Sequence, residues 1–140
     1  MGKQELDNLV KIGSLKVEAA SRSEFDGMVK SARRGLADAQ NQSIETDSQF
    51  DLAYEAAHKF ALAALRQQGY RSENRITVFQ TLVHTLATSK ADLQILLRAH
   101  NERNLAAYEG RVDIDLKLLT DLIGATKRLQ AAVGKLSPPK

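Results

Sequence analysis

The chain has 140 residues, no cysteine, no tryptophan and a formal net charge of +3. A chain of this length forms one domain that buries roughly two-thirds of its unfolded surface, and the lack of thiols excludes disulfides and thiolate metal sites. The mild positive charge permits contact with nucleic acid, but it is lower than that of strongly basic nucleic-acid-binding domains.

The amino terminus predicts a short helix and no targeting segment. Leu6 and Val10 follow helical spacing up to a break near Gly13, and we assign residues 1–22 to an N-terminal helical extension. The first residues are charged where a signal peptide is apolar. The apolar stretch at residues 60–65 is too short to span a bilayer. We therefore expect a soluble, cytoplasmic protein that does not contact membranes.

The middle of the chain contains two longer helical patterns. The first begins near Ser23, which we take as its N-cap. The second covers residues 48–68 and has alanines on several faces, so that neighbouring helices can approach it on more than one side. We predict that this is the central helix, that one of residues 46–48 caps it, and that it stops at Gly69, a common residue beyond a helix C-terminus.

Three further helical patterns complete the chain. They cover residues 76–86, 93–110 and 112–133. Gly110 closes the second of these, and Asp113 or Asp115 begins the third. No strand run or internal repeat is visible, and short connections favour antiparallel neighbours. We therefore predict an all-α, up-and-down bundle of five to six helices without a sheet, with the bundle domain at residues 23–136 and a disordered tail at residues 137–140.

The segment from Arg103 to Gly110 carries the most distinctive chemistry. Asn104 and Tyr108 are four residues apart and share a helix face, with Arg103 at its edge. His100 lies one turn earlier on the same side. A guanidinium and a carboxamide need polar partners when they are buried, and a guanidinium can bind phosphate through two parallel hydrogen bonds. The candidate site residues are therefore Arg103, Asn104, Tyr108 and His100.

This segment and the helices before it resemble the HEPN superfamily, named for higher eukaryote and prokaryote nucleotide-binding domains. A central helix at residues 53–60 that ends at residues 68–71, a helix with Phe79 and Leu82, and a helix with the Arg-Asn pair follow in order. The resemblance covers residues 23–136. It implies a small all-α bundle that commonly forms homodimers. Active members are metal-independent ribonucleases, often toxins of toxin–antitoxin pairs, so no metal or cofactor is implied.

The chain departs from the family motif at one position. The motif is an Arg, a polar residue that is often Asn, and a His after four to six intervening residues. Arg103 and Asn104 match the first two, and Tyr108 stands where the shortest spacing places the His. Imidazole, with a pKa of about 6.5, suits proton transfer at neutral pH better than a phenol with a pKa of about 10. We therefore expect a degenerate HEPN-like domain with a phosphate- or RNA-facing Arg-Asn motif and little or no ribonuclease activity.

Two other functions stay open. The chain is alternatively a non-catalytic module that pairs with a nucleotidyltransferase or an antitoxin, or an active metal-independent ribonuclease toxin. The sequence therefore does not decide whether the protein is an enzyme. A purely structural role would pair Arg103 with Glu109 or Asp113 and would make Tyr108 a half-buried anchor.

Two basic clusters and the remaining histidines have ordinary structural interpretations. One cluster comprises Lys30, Arg33 and Arg34, and the other comprises Arg66, Arg71 and Arg75. We interpret the first as a solvated helix face, and the second flanks the turn at Gly69. Neither alternates with aromatic residues, as surfaces that stack single-stranded bases do. His58 and His84 fit packing positions, and scattered histidines do not predict a metal site.

Overall fold

Residues 2–110 and 113–140 are described by the computed structural model, and within them the protein is an all-α bundle. The helices are α1 (Lys3–Lys11), α2 (Arg22–Ala39), α3 (Thr46–Gln67), α4 (Arg75–Gln80), α5 (Leu82–Thr85), α6 (Lys90–Glu109) and α7 (Leu116–Gly134). Thr81 is both the C-cap of α4 and the N-cap of α5, so these two form one interrupted helix and the described residues contain six helical units. The predicted all-α bundle of five to six helices is confirmed.

One short antiparallel ladder corrects the prediction that there is no sheet. Strand β1 (Lys16–Val17) pairs with β2 (Tyr70–Arg71), and Val17 lies opposite Tyr70. Gly69 has a φ of +90°, a conformation that glycine adopts without steric cost, and its carbonyl accepts a hydrogen bond from the Glu18 amide at 3.0 Å. Two residues are too few to produce an alternating pattern, so the sequence contains no local strand signal.

Helix α3 lies at the centre of the bundle, as the sequence predicts. It packs against α2, α4, α5, α6 and α7. Its alanines at positions 53, 57, 61 and 64 are completely buried. Because an alanine side chain is small, helices on several sides can approach the α3 backbone, and the larger α3 side chains fill the spaces between them. Phe50, Tyr54 and Phe60 are the largest of these and are also buried.

Helix ends follow local sequence signals at three of the predicted positions. Gly110 closes α6 in the left-handed conformation, with a φ of +68°, and Asp115 caps α7 by accepting a hydrogen bond from the Lys117 amide at 2.9 Å. Gly69 follows α3 as predicted. The N-cap of α2 is Ser21, whose Oγ accepts from the Glu24 amide at 3.2 Å, so the prediction of Ser23 is wrong.

The amino end of α3 differs from its prediction. Its N-cap is Glu45, which makes no side-chain capping hydrogen bond, so none of residues 46–48 has the predicted capping role. The N-terminal segment also packs closely on the bundle, because Leu6 and Leu15 are buried in the same hydrophobic cluster as α3. The division of the chain at residue 22 stays a prediction.

A buried arginine links the N-terminal segment to α3. Arg66 is 2% exposed, and its Nε donates to Glu24 Oε1 at 2.6 Å. Its other nitrogens donate to the carbonyl oxygens of Glu18 and Ala19, each at 2.8 Å. Arg71 pairs with the same two glutamates. Both arginines are therefore structural, and they hold the segment before α2 against the end of α3.

Within residues 2–110 and 113–140, every helix is too short or too polar to cross a membrane.

Candidate functional site

Helix α6 places the predicted motif on the surface of the bundle, above α3 and α4. Ser89 caps the helix by accepting a hydrogen bond from the Asp92 amide at 3.1 Å. Only Leu96 and Ala99 of its residues are fully buried. The half of α6 that carries Arg103 and the residues after it is therefore partly or fully exposed, although it remains packed along one side.

Arg103 contacts two residues of α3. Its Nη2 donates to Glu55 Oε2 at 3.3 Å, and its Cζ lies 5.2 Å from the centroid of the Tyr54 ring. Its side chain is 35% exposed. The structural interpretation from sequence had named Glu109 or Asp113 as partners, whereas the partner in the structure is Glu55 on another helix.

Arg75 reaches the same carboxylate from the start of α4. Its Nη1 lies 3.1 Å from Glu55 Oε1 and 3.0 Å from Oε2, and its Cζ lies 5.6 Å from the centroid of the Tyr54 ring. Two guanidiniums therefore share one carboxylate and one phenol ring. Cations over aromatic faces are attracted by the ring quadrupole, so Tyr54 and Glu55 together hold Arg75 and Arg103 close to each other despite their like charges.

A hydrogen-bonded chain runs from α3 to the motif. The Tyr54 hydroxyl lies 2.8 Å from His100 Nδ1, and Asn104 Nδ2 lies 3.2 Å from His100 Nε2. An amide nitrogen only donates, so Nε2 accepts and Nδ1 carries the ring proton, which it donates to Tyr54. If the Asn104 side-chain amide is flipped, its oxygen accepts from Nε2–H, and Nδ1 then accepts from the Tyr54 hydroxyl. In both arrangements the two ring nitrogens of His100 are engaged.

Burial and the two arginines keep the nearby histidines neutral. The pKa of His58 is lowered to about 4, mainly because the ring is buried and secondly because Arg75 is close. The pKa of His100 is also lowered, first by burial and then by Arg103 and Arg75. An imidazole buried beside cations resists protonation for both reasons. The positive charge of the site at neutral pH therefore comes from its arginines.

A groove of about 390 Å³ gives access to Arg103 from solvent. Asp51 and Ala106 contribute to its walls. Burial raises the pKa of the Asp51 carboxyl, and the neighbouring Arg103 opposes that change. Asp47 also lines the groove, so a ligand there would meet one guanidinium and two carboxylates, and it would reach Arg103 without any movement of the bundle core.

The structure brings three of the four predicted site residues together and leaves the fourth outside. His100, Arg103 and Asn104 lie in the cluster with Tyr54 and Glu55, whereas Tyr108 is 89% exposed and makes no contact with this cluster within the described residues. The structural interpretation of Tyr108 as a half-buried anchor is therefore wrong.

Sequence analysis missed Tyr54 and Glu55 and gave Arg75 no role in the site. The available signal was local: Tyr54, Glu55 and His58 are polar residues within an alanine-rich helix, spaced so that they lie near one another. Their partners are 20 to 48 residues away in the chain. No spacing rule connects positions so far apart, so the cluster could only be found in three dimensions.

Comparison with known proteins finds no relative of this chain. No protein-family model, curated protein or solved structure matches this chain significantly. Within the described residues there is also no group of three or more histidine, aspartate or glutamate side chains that could hold a metal ion. The function therefore has to come from the geometry of the Arg103 cluster, which we define as Tyr54, Glu55, Arg75, His100, Arg103 and Asn104.

Proposed function

We propose that this protein is a degenerate HEPN-like domain that binds RNA through phosphate contacts of Arg103 and Arg75 and has little or no ribonuclease activity. The observation that carries the proposal is the incomplete pairing of the two guanidiniums. Arg103 makes a single, long hydrogen bond of 3.3 Å to Glu55, and Arg75 binds Glu55 through Nη1 alone. Arg103 lines the groove and keeps N–H donors beyond this one hydrogen bond, so a planar anion such as phosphate can bind it there.

The state of His100 argues for binding without cleavage. To act as a general base, an imidazole needs a free ring nitrogen within hydrogen-bond reach of the proton that it removes. Both ring nitrogens of His100 are held, one by Tyr54 and the other by Asn104. Tyr108, at the position of the family histidine, is a phenol on the exposed surface. The cluster thus has the groups to hold a phosphate and lacks an imidazole with a free ring nitrogen.

We include a homodimer and a cytoplasmic location in this proposal. The outer side of α6 offers the half-buried Leu97 and the exposed Tyr108 as apolar surface, whereas Leu96, which the sequence also suggested, is completely buried and contributes nothing. A dimer through α6 would bring two Arg103 clusters to one assembly. Light scattering at tens of micromolar should give twice the monomer mass, and a monomer at that concentration would contradict this part.

A second candidate is a non-catalytic module that pairs with an antitoxin or a nucleotidyltransferase. The exposed Tyr108 favours it, because a fully accessible aromatic ring at the end of a surface helix is typical of residues that anchor protein interfaces. Arg103 binds RNA phosphate in the first candidate and does not in the second. A measurement of RNA binding therefore distinguishes the two.

The test is the affinity for a short, fluorescently labelled single-stranded RNA, measured by anisotropy at several salt concentrations. We expect Arg103→Ala to weaken binding about tenfold or more and to reduce the slope of log affinity against log salt by about 0.7, as expected when one phosphate contact to a single strand is lost. Arg98→Ala is the matched control, because Arg98 is an exposed cation on the same helix outside the cluster. Equal losses in both variants, or no RNA binding by the parent, would overturn the proposal.

A further inference from the structure

A groove separate from the Arg103 cluster lies between α2 and the carboxyl end of α7. Its volume is about 500 Å³. Phe25 and Val29 of α2 and Leu136, just beyond α7, form an apolar floor. Phe25 is 5% exposed and almost completely covered, so the floor is open to solvent through Val29 and Leu136, which are partly buried and also pack on the core. None of these residues belongs to the Arg103 cluster, so a role for this groove is independent of the proposed function.

Three cations border this apolar floor. Lys30, Arg33 and Arg34 line the groove and are exposed, and their side chains make no hydrogen bond or ion pair with any other described residue. Their spacing of three and four residues places them along one face of α2. Asp26 also lines the groove, but its carboxylate is already paired with Arg22 at 2.9 Å. The groove therefore has an excess of positive charge that the described residues do not neutralise.

The absence of an ion-pair partner beside an apolar floor distinguishes these three cations from most arginines elsewhere in the described part of the chain. Arg66, Arg71, Arg75, Arg103 and Arg128 all pair with carboxylates. A cation that lacks an internal partner and borders apolar surface is suited to an external anion that carries apolar groups. The floor faces solvent as well, so a ligand would bury apolar surface and form ion pairs at the same time.

We propose that this groove docks an acidic segment of a partner protein, with aliphatic side chains on the floor formed by Phe25, Val29 and Leu136 and carboxylates at Lys30, Arg33 and Arg34. The lining of α2 from Phe25 to Arg34 spans about 14 Å at the helical rise of about 1.5 Å per residue, which suits a peptide segment better than a single ion. RNA fits this surface less well, because its bases require exposed aromatic rings for stacking and Phe25 is almost completely covered.

The probe is a labelled, capped acidic peptide of about twelve residues with leucines on one helical face, and the readout is fluorescence anisotropy. The test protein carries Lys30→Glu, Arg33→Glu and Arg34→Glu, and the matched control carries Lys11→Glu, Lys90→Glu and Lys127→Glu at other exposed positions. Both triples change the formal net charge from +3 to −3, two units per substitution. We expect the groove variant to bind the peptide at least about tenfold more weakly than the control variant.

Two further measurements identify the chemistry that is recognised. A peptide in which serine replaces leucine should bind the parent at least about tenfold more weakly, because the apolar floor then has no partner. A short single-stranded RNA should lose no more affinity in the groove triple than in the control triple. Circular dichroism checks that both triples keep the helical fold. Equal peptide losses in the two triples, no saturable binding by the parent, or an RNA loss confined to the groove triple would each overturn the proposal.

Discussion

Replacing Glu55 by Gln tests whether this carboxylate competes with a ligand for the two guanidiniums. Glu55 pairs with Arg75 at 3.0 Å and with Arg103 at 3.3 Å, and all three side chains are 31–35% exposed. Ion pairs that are accessible to solvent contribute about 0.2–1 kcal/mol each. Loss of both should therefore lower the free energy of unfolding by about 0.5–2 kcal/mol, which a thermal or urea denaturation curve detects.

The affinity for RNA should change in the opposite direction. A phosphate that binds the remaining N–H donors lies beside Glu55, whose carboxylate competes with it for the two guanidiniums and also repels it. Removing about 1.4 kcal/mol of this competition makes binding about tenfold tighter. Gln keeps the shape of the side chain and can still accept a hydrogen bond, so the two guanidiniums stay near their present positions.

The assay is anisotropy with the same single-stranded RNA at fixed salt, beside a denaturation curve for each protein. Glu5→Gln is the control, because it raises the net charge by the same amount at an exposed position on α1. Equal tightening in both variants would attribute the effect to net charge alone. Weaker binding in Glu55→Gln would refute the reasoning, because it would mean that Glu55 orients the guanidiniums and does not compete with the ligand.

His58 and Tyr108 give two further predictions. The folded pKa of His58 is about 4 and lies below the unfolded value of about 6.5, so the unfolded state takes up a proton first as the pH falls. The contribution of His58 to stability should therefore be constant above about pH 6.5 and fall by up to about 3 kcal/mol towards pH 4. Urea denaturation across this range measures the decrease, and His58→Gln should reduce it; an unchanged slope in that variant would assign the loss to other groups. Tyr108→His places a free imidazole on the same face as Asn104, one turn away, and should produce RNA cleavage that persists in a chelator; intact RNA at unchanged binding affinity would contradict the HEPN-like geometry.

The sequence determined the helical architecture, because the signals for it are local. The apolar spacing of each helix, the glycine that closes α6 at Gly110 and the cap of α7 at Asp115 act within a few residues of one another. The alanine content of α3 predicts its central position for the same reason, since side-chain size along one segment limits how closely its neighbours can pack. The Arg103–Asn104 motif was also visible, and both residues do lie in the cluster.

The tertiary structure alone decided which groups surround that motif. Glu55 is 48 residues from Arg103 and Tyr54 is 46 residues from His100, so their contacts exist only because α6 packs on α3. The same holds for the ladder between Val17 and Tyr70. Helix formation depends on neighbours along the chain, whereas an ion pair or a strand pair between distant residues depends on where whole elements pack. Three of the four residues predicted from sequence, Arg103, Asn104 and His100, therefore joined Tyr54, Glu55 and Arg75 in one cluster only in three dimensions, and Tyr108 stayed outside it.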